Sequence, residues 1–185
     1  MANENLPKKK RGGEVFWTLF VLLLVIGVGL YYGTTPPVNH GKLVGQPAPE
    51  ISYKTSTGQS TSVHKLEKVA LLNFWATWCG PCLQEMPSLK MLEDHFAGKG
   101  FVLLAFDIEE GDGDIRGQIT GLPSGLETPQ NLIFNFSRSS LTAYDIQYIP
   151  LSVLIDRNGI VRHVYNGPQK WMDVSVLKEI EALLN

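Results

Sequence analysis

A nearly continuous apolar run, from Val69 to Ala76, constrains the fold of this chain more than any other feature. It has the length of a strand, and unbroken apolar character is typical of a strand that is buried on both faces. A helical pattern of apolar residues follows and ends at Gly98; its members are Cys82, Met86, Leu89 and Phe96. A second apolar run over 101–106 predicts another buried strand, which a right-handed crossover makes parallel to the first.

The other predicted elements surround this strand-helix-strand unit. Two hairpins are expected, one formed by residues 51–53 and 61–63 and the other by residues 151–155 and 160–165. The second contains Asn158-Gly159 between its strands, which is a strong hairpin signal. A closing amphipathic helix is indicated by Val174, Leu177, Ile180 and Leu184. Residues 107–149 show no sustained period, and only a short helix over 137–144 is expected there.

The N-terminal region predicts a membrane anchor. Residues 15–32 are uncharged and largely apolar, and as a helix they would extend about 27 Å, close to the thickness of a bilayer core. A core helix would show a polar face, which is absent here, and a cleaved signal peptide would show a small-x-small site, which does not follow Leu30. Basic residues 8–11 precede the span, so the positive-inside rule places residues 1–14 in the cytoplasm.

The rest of the chain is expected outside the cytoplasm. Residues 33–44 are interpreted as a linker, and residues 45–185 as one α/β domain. The prediction is a single-pass protein of the cell membrane whose domain lies on the extracytoplasmic, periplasmic side. Residues 33–185 hold 12 of the 16 basic and 16 of the 18 acidic residues, and this acidic balance argues against nucleic acid as a partner.

Two cysteines, Cys79 and Cys82, follow the first buried strand, and the chain has no others. A bridge between them closes so short a loop that its entropic contribution is only about 2 kcal/mol, which makes it a poor structural staple. At the first turn of a helix, the dipole and the unpaired N–H groups stabilise the thiolate of Cys79, while Cys82 lies inward and can resolve a mixed disulfide. Pro81 suits that turn, and Trp78 offers a flat surface to a client. The prediction is a redox-active dithiol without a further cofactor.

Metal binding is the main alternative for the cysteine pair. The spacing from Cys82 to His95 imitates a zinc finger, but no second histidine follows at the required distance. An acidic stretch suggests calcium, yet Arg116 and Pro123 occupy positions where oxygen ligands belong. We therefore interpret its acids as a solvated loop: Asp107, Glu109, Glu110, Asp112 and Asp114. The histidines are scattered along the chain, and no metal site is predicted from them: His40, His64, His95 and His163.

The residues around the cysteines carry a resemblance to a known family. The segment 73–87, NFWATWCGPCLQEMP, resembles the active-site strand and helix of the thioredoxin superfamily, and most of all its membrane-tethered TlpA/ResA-like branch. In element order the resemblance extends over residues 45–185. It implies a thioredoxin-like α/β fold with a central mixed sheet flanked by helices, here preceded by one transmembrane helix.

The resemblance also implies roles for individual residues. Ile149-Pro150 would be the cis-proline loop that packs against the dithiol and pairs with a client backbone; a proline that only opens a strand is the alternative. Glu85 would exchange protons with the resolving cysteine from beneath the dithiol; an exposed helix acid is the alternative. Pro87 matches the proline that kinks the helix.

The chain also departs from the family pattern. Asn73 stands where soluble thioredoxins carry a buried aspartate, so Glu85 becomes the better proton carrier. Leu151 stands where threonine usually follows the cis-proline in this branch. The inserted helix of the branch is hard to recognise between residues 107 and 145, which leaves substrate specificity open.

The predicted function is reduction of disulfides in client proteins. Cys79 attacks the client disulfide, and Cys82 then resolves the mixed disulfide. Because the chain has no third cysteine, a separate membrane thiol reductant has to recycle the pair, and the resemblance implies apocytochrome c as one client. Two alternatives stay open: a disulfide oxidase or isomerase, and a non-catalytic copper chaperone that uses the thiolates as soft ligands.

Overall fold

The computed structural model describes residues 12–33, 42–55, 57–109, 122, 124–134, 136 and 139–185. Its contacts divide the chain into two compact units, residues 1–38 and 39–185. Part of the acidic stretch lies outside the described residues, namely Glu110, Asp112, Asp114 and Arg116, and so do Pro123 and His40.

The first unit contains helix α1, Gly12–Gly33. Its large apolar side chains between Val15 and Leu30 are exposed. Within the part of the chain that the structure describes, no helix combines the length and the hydropathy required to cross a membrane.

The second unit begins with a small hairpin. Strands β1, Ser52–Lys54, and β2, Ser60–Ser62, pair antiparallel, with Tyr53 opposite Thr61. The turn includes Gly58 at a φ of 80°, a conformation that costs glycine little. The hairpin predicted from the sequence is therefore confirmed, with bounds that differ by one residue. A short 3-10 helix, Val63–Lys65, follows it.

A five-stranded mixed sheet forms the centre of the domain. Its strands are β3, Val69–Trp75; β4, Phe101–Asp107; β5, Leu132–Ile133; β6, Leu151–Ile155; and β7, Val161–Asn166. Their order is β5-β4-β3-β6-β7. Strands β3, β4 and β5 run parallel, whereas β6 is antiparallel to both β3 and β7. The predicted parallel pair and the second hairpin are confirmed, and the short edge strand β5 lies in the stretch that showed no sustained period.

Among the described residues of the domain, three α-helices accompany the sheet: α2, Gly80–His95; α3, Ser139–Ala143; and α4, Val174–Leu184. Successive residues of β3 face opposite sides, because side chains alternate along a strand. Trp75 packs with Met86 of α2 and Ile180 of α4 in one buried cluster. Phe74 belongs to the other cluster, together with Tyr53. Strand β3 is buried along its whole length, as its unbroken apolar sequence predicts.

Candidate active site

The end of β3 places Cys79 at the start of α2. Between them the chain turns, with the N–H of Cys79 donating to the carbonyl of Ala76 over 3.1 Å. The turn is also held by the segment after β4, because the Glu109 carboxylate accepts hydrogen bonds from both the N–H and the hydroxyl of Thr77. Cys79 is therefore the N-cap residue of α2, at the positive end of the helix.

Cys79 and Cys82 are joined by a disulfide. The N–H of Cys82 belongs to the first helical turn, where N–H groups have no backbone acceptor within the helix. It donates a hydrogen bond to Cys79 Sγ over 3.3 Å. Only 5% of Cys79 is exposed, and Cys82 is fully buried. Pro81 lies at the beginning of the helix, where a missing N–H breaks no bond. The placement of both cysteines agrees with the sequence analysis.

The Ile149-Pro150 loop lies beside the disulfide. Its peptide bond is cis, as the resemblance implies, and Cys79 Sγ lies 3.8 Å from the carbonyl oxygen of Ile149. Pro150 is buried immediately before β6, which is paired with β3, so the sheet itself brings the loop to the cysteines.

An apolar cavity of about 280 Å³ adjoins this loop. Its lining includes no charged side chain, and two aromatic residues at its mouth are largely exposed: 70% of Trp78 and 74% of Tyr148. The full lining is Trp78, Ile108, Ile146, Gln147, Tyr148 and Ile149. Sequence analysis singled out Trp78 and Ile149 but not Tyr148, because residues 144–148 carried no recognisable pattern.

Glu85 is buried, with only 4% of its surface exposed, so it is not the exposed helix acid of the alternative interpretation. It lies three residues after Cys82 on α2 and therefore on the same face of the helix. Burial raises the pKa of its carboxyl group above the ordinary value of 4.5, because the charged form is poorly solvated; hydrogen bonds oppose this effect only in part.

Three donors surround the Glu85 carboxyl group. Asn73 Nδ2 donates to Oε1 over 3.0 Å, and Oε2 accepts both the backbone N–H of Gln169, over 2.9 Å, and the indole N–H of Trp171, over 3.1 Å. The same Asn73 nitrogen also donates to Ser152 Oγ over 2.9 Å. Sequence analysis missed Gln169 and Trp171, which lie in an irregular segment; a tryptophan outside any predicted element was the only signal.

Asn73 holds the position of the absent aspartate and bonds to Glu85 as a neutral donor. Its Oδ1 atom is buried without a hydrogen-bond partner among the described residues. The residue therefore helps to orient the acid instead of carrying a proton itself, since an amide does not titrate in this range. Pro87 lies inside α2, as predicted.

The structure shows no metal centre in the residues it describes, where no three His, Cys, Asp or Glu side chains come together. His64 contacts Glu50, His163 contacts Glu179, and His95 packs against its neighbour Phe96. Of the acidic stretch, Asp107 is buried at the end of β4 and accepts the N–H of Glu109 over 2.9 Å.

Comparison with known proteins identifies the family. The model of the Redoxin family matches residues 43–180. The chain belongs to the Redoxin family. The chain is 30% identical, over 166 residues, to the thiol-disulfide oxidoreductase ResA of Bacillus subtilis, with 88% of each chain covered. It is 28% identical to the thioredoxin-like protein YneN of the same organism, covering 82% of this chain and 89% of YneN.

Two solved structures have folds similar to that of this chain. A thiol:disulfide interchange protein of the thioredoxin family from Chlorobium tepidum matches with a TM-score of 0.58 at 27% identity, covering 75% of this chain and 96% of the other. StoA from Bacillus subtilis matches with a TM-score of 0.55 at 26% identity, covering 73% and 99%. The protein is thus a ResA-like member of the thioredoxin superfamily and a thiol-disulfide oxidoreductase. The roles of its individual site residues stay predictions.

The raised pKa of Glu85 predicts how the stability of the oxidised protein depends on pH. Between 4.5 and the raised pKa, the folded chain holds a proton that the unfolded chain has released, so stability falls as the pH rises through this window. The loss is about 1.4 kcal/mol for each unit by which the pKa is raised. Chemical denaturation of the oxidised full-length chain in detergent should show this fall.

Glu85→Gln should make the fall smaller, because the substituted amide does not titrate, while Glu93, whose pKa burial also raises, keeps its own share. Its oxygen can accept the bonds from Gln169 and Trp171, and its NH₂ group can donate to Asn73 once the Asn73 amide rotates. Glu181→Gln, at an exposed position of α4, is the matched control and should keep the wild-type slope. If the free energy of unfolding changed with pH in the same way in Glu85→Gln and in the wild type, the claim that burial raises the pKa of Glu85 would be contradicted.

Proposed function

We propose that this protein reduces disulfides of client proteins outside the cytoplasm. The Cys79 thiolate attacks one sulfur of the client disulfide; that bond breaks, the first client sulfur leaves as a thiolate, and a mixed disulfide forms. Cys82 then gives its proton to Glu85 and attacks Cys79 Sγ, which releases the second client thiolate. Two electrons have moved to the client, and the protein holds the Cys79–Cys82 disulfide.

The observation that carries this proposal is the buried Glu85 carboxyl group on the face of α2 that also bears Cys82. A negative charge beside Cys82 disfavours a second negative charge on its sulfur. Since the disulfide carries no charge, the acid stabilises the oxidised form relative to a dithiolate, which favours a low reduction potential and hence a reductant. The Gly80-Pro81 dipeptide, which resembles that of the reducing thioredoxins, supports the same direction.

Electrons have to return to the disulfide from another protein. With two cysteines in the whole chain, no internal thiol can reduce the pair, so a membrane thiol reductant is the proposed donor. The clients are proteins with accessible disulfides, and the resemblance to the TlpA/ResA-like branch makes apocytochrome c the first candidate.

The client is proposed to bind at the surface formed by Trp78, Ile149 and Pro150. The exposed Trp78 ring and the carbonyl oxygen of Ile149 both lie next to Cys79, and the carbonyl is placed to accept a hydrogen bond from an extended client segment. The adjoining apolar cavity suits an uncharged client side chain.

The proposed location is the outer face of the cell membrane, with residues 1–14 in the cytoplasm and residues 15–32 as the anchor. The uncharged sequence of this segment and its exposed apolar side chains in α1 support the assignment, because such a surface is stable only when lipid or protein covers it.

The direction of electron flow is tested by the reduction potential of the full-length chain in detergent. Equilibration with glutathione at pH 7 should give a value near or below that of thioredoxin, about −270 mV. Glu85→Gln should raise the potential, because removal of the acid makes a thiolate easier to form. A wild-type value near that of DsbA, about −120 mV, would make the protein an oxidase instead.

Trapping tests the assignment of the nucleophile and the location together. Cys82→Ser removes the resolving thiol, so mixed disulfides should accumulate on Cys79 in the membrane fraction of cells that express the full chain. Cys79→Ser is the matched control and should trap almost nothing, since the remaining sulfur of Cys82 is fully buried. Equal trapping by both variants would overturn the choice of Cys79, and cytoplasmic proteins as the main adducts would overturn the location.

A further inference from the structure

Trp171 donates to Oε2 of the Glu85 carboxyl group, whereas Asn73 donates to Oε1. Its side chain is fully buried, and its indole N–H shares Glu85 Oε2 with the backbone N–H of Gln169. Of the two side-chain donors, Asn73 also bonds to Ser152, whereas the indole N–H bonds to Glu85 alone among the residues that the structure describes. The indole is thus a donor dedicated to this acid.

A second set of contacts fixes the Trp171 ring in place. Tyr165 of β7 packs edge-on against it, with ring centroids 5.2 Å apart and an angle of 76°. The Tyr165 hydroxyl donates to Glu179 Oε2 over 2.6 Å, and Glu179 Oε1 lies 2.8 Å from His163 Nδ1. Burial, together with the bond to Glu179, raises the pKa of Tyr165, so its hydroxyl remains a donor. Residues of strand β7 and helix α4 therefore hold the Trp171 ring in place.

We infer that Trp171 is a positioning residue that sets how tightly Glu85 holds its proton. Donors favour the ionised carboxylate, whereas burial favours the protonated acid, so the proton affinity depends on their balance. The inference rests on the proposed role of Glu85 as the acceptor of the Cys82 proton. An ionised Glu85 accepts that proton; loss of the indole bond leaves more of the acid already protonated and unable to do so.

The charged and titratable groups around this contact lie on several elements. Cys82 is on the same helix, Lys170 and Asp173 flank Trp171, and Glu179 and His163 lie behind Tyr165. In the part of the chain that the structure describes, none of these side chains hydrogen-bonds to the Glu85 carboxyl group.

Glu85 and Trp171 also line a cavity of about 500 Å³ together with Lys170 and Asp173. The lining residues differ entirely from those of the cavity beside Trp78 and Ile149. Glu85 therefore borders a cavity other than the one lined by Trp78 and Ile149.

The test is the titration of the Glu85 carboxyl group in the oxidised full-length chain, where the cysteines do not titrate. Infrared spectroscopy follows the band of the protonated acid, which is assigned by its loss in Glu85→Gln. Trp171→Phe removes the donor but keeps an aromatic ring, and it should raise the midpoint by about one pH unit, because a hydrogen bond to a charged group is lost. Replacement of Trp171 by 3-benzothienylalanine, whose sulfur takes the place of the N–H, should give the same shift with the ring volume kept.

Trp75→Phe is the matched control. It makes the same chemical change at another fully buried tryptophan, whose indole N–H has no hydrogen-bond partner among the described residues, so the midpoint should stay at the wild-type value. An unchanged midpoint with the benzothienyl side chain, or an equal shift in Trp75→Phe, overturns the role of Trp171. If Glu85→Gln instead leaves the pH profile of Cys79 alkylation in the reduced protein unchanged, the proposed role of Glu85 as proton acceptor is contradicted, whatever the result for Trp171.

Discussion

The complete burial of β3 is the constraint on which the site depends. The strand pairs with β4 on one side and β6 on the other, and both of its faces are covered, so its carboxyl end is fixed in position. Cys79 follows that end at the start of α2, and the pairing with β6 brings Pro150 to the same place. The sulfur of Cys79 therefore takes its position from the sheet, while the N-terminus of the helix supplies an electrostatic field that favours a thiolate.

A buried acid on the helix face that bears Cys82 is the second feature of the site. Burial disfavours the ionised form of Glu85. Hydrogen bonds from three donors, on β3 and in the segment after β7, favour the ionised form. A carboxyl group held in such a balance can take a proton from a neighbouring thiol and return it to solvent without a large energetic cost. Asn73 stands where soluble thioredoxins carry an aspartate, and because its amide does not titrate, Glu85 is the only acid of this pair.

The sequence patterns predicted correctly those elements whose structure depends mainly on residues close together in the chain. The apolar run of β3, the helical spacing after Cys82 and the Asn158-Gly159 turn each specify an element without reference to the rest of the chain. Trp171 could not be assigned in this way, because its contact with Glu85 joins residues 86 positions apart. The edge strand β5 is only two residues long and pairs with β4 alone, so its sequence carries too short a period to recognise.

The reduction potential as a function of pH tests most directly whether Glu85 and the dithiol act as one unit. The potential of a two-electron couple falls by about 30 mV per pH unit for each proton that reduction takes up. A thiolate beside Glu85 makes the reduced form hold the acid's proton more tightly than the uncharged disulfide does. We expect the wild-type line to steepen over the pH range in which Glu85 titrates, and the Glu85→Gln line to lack that steep segment. Lines that run parallel over the whole range would contradict the coupling.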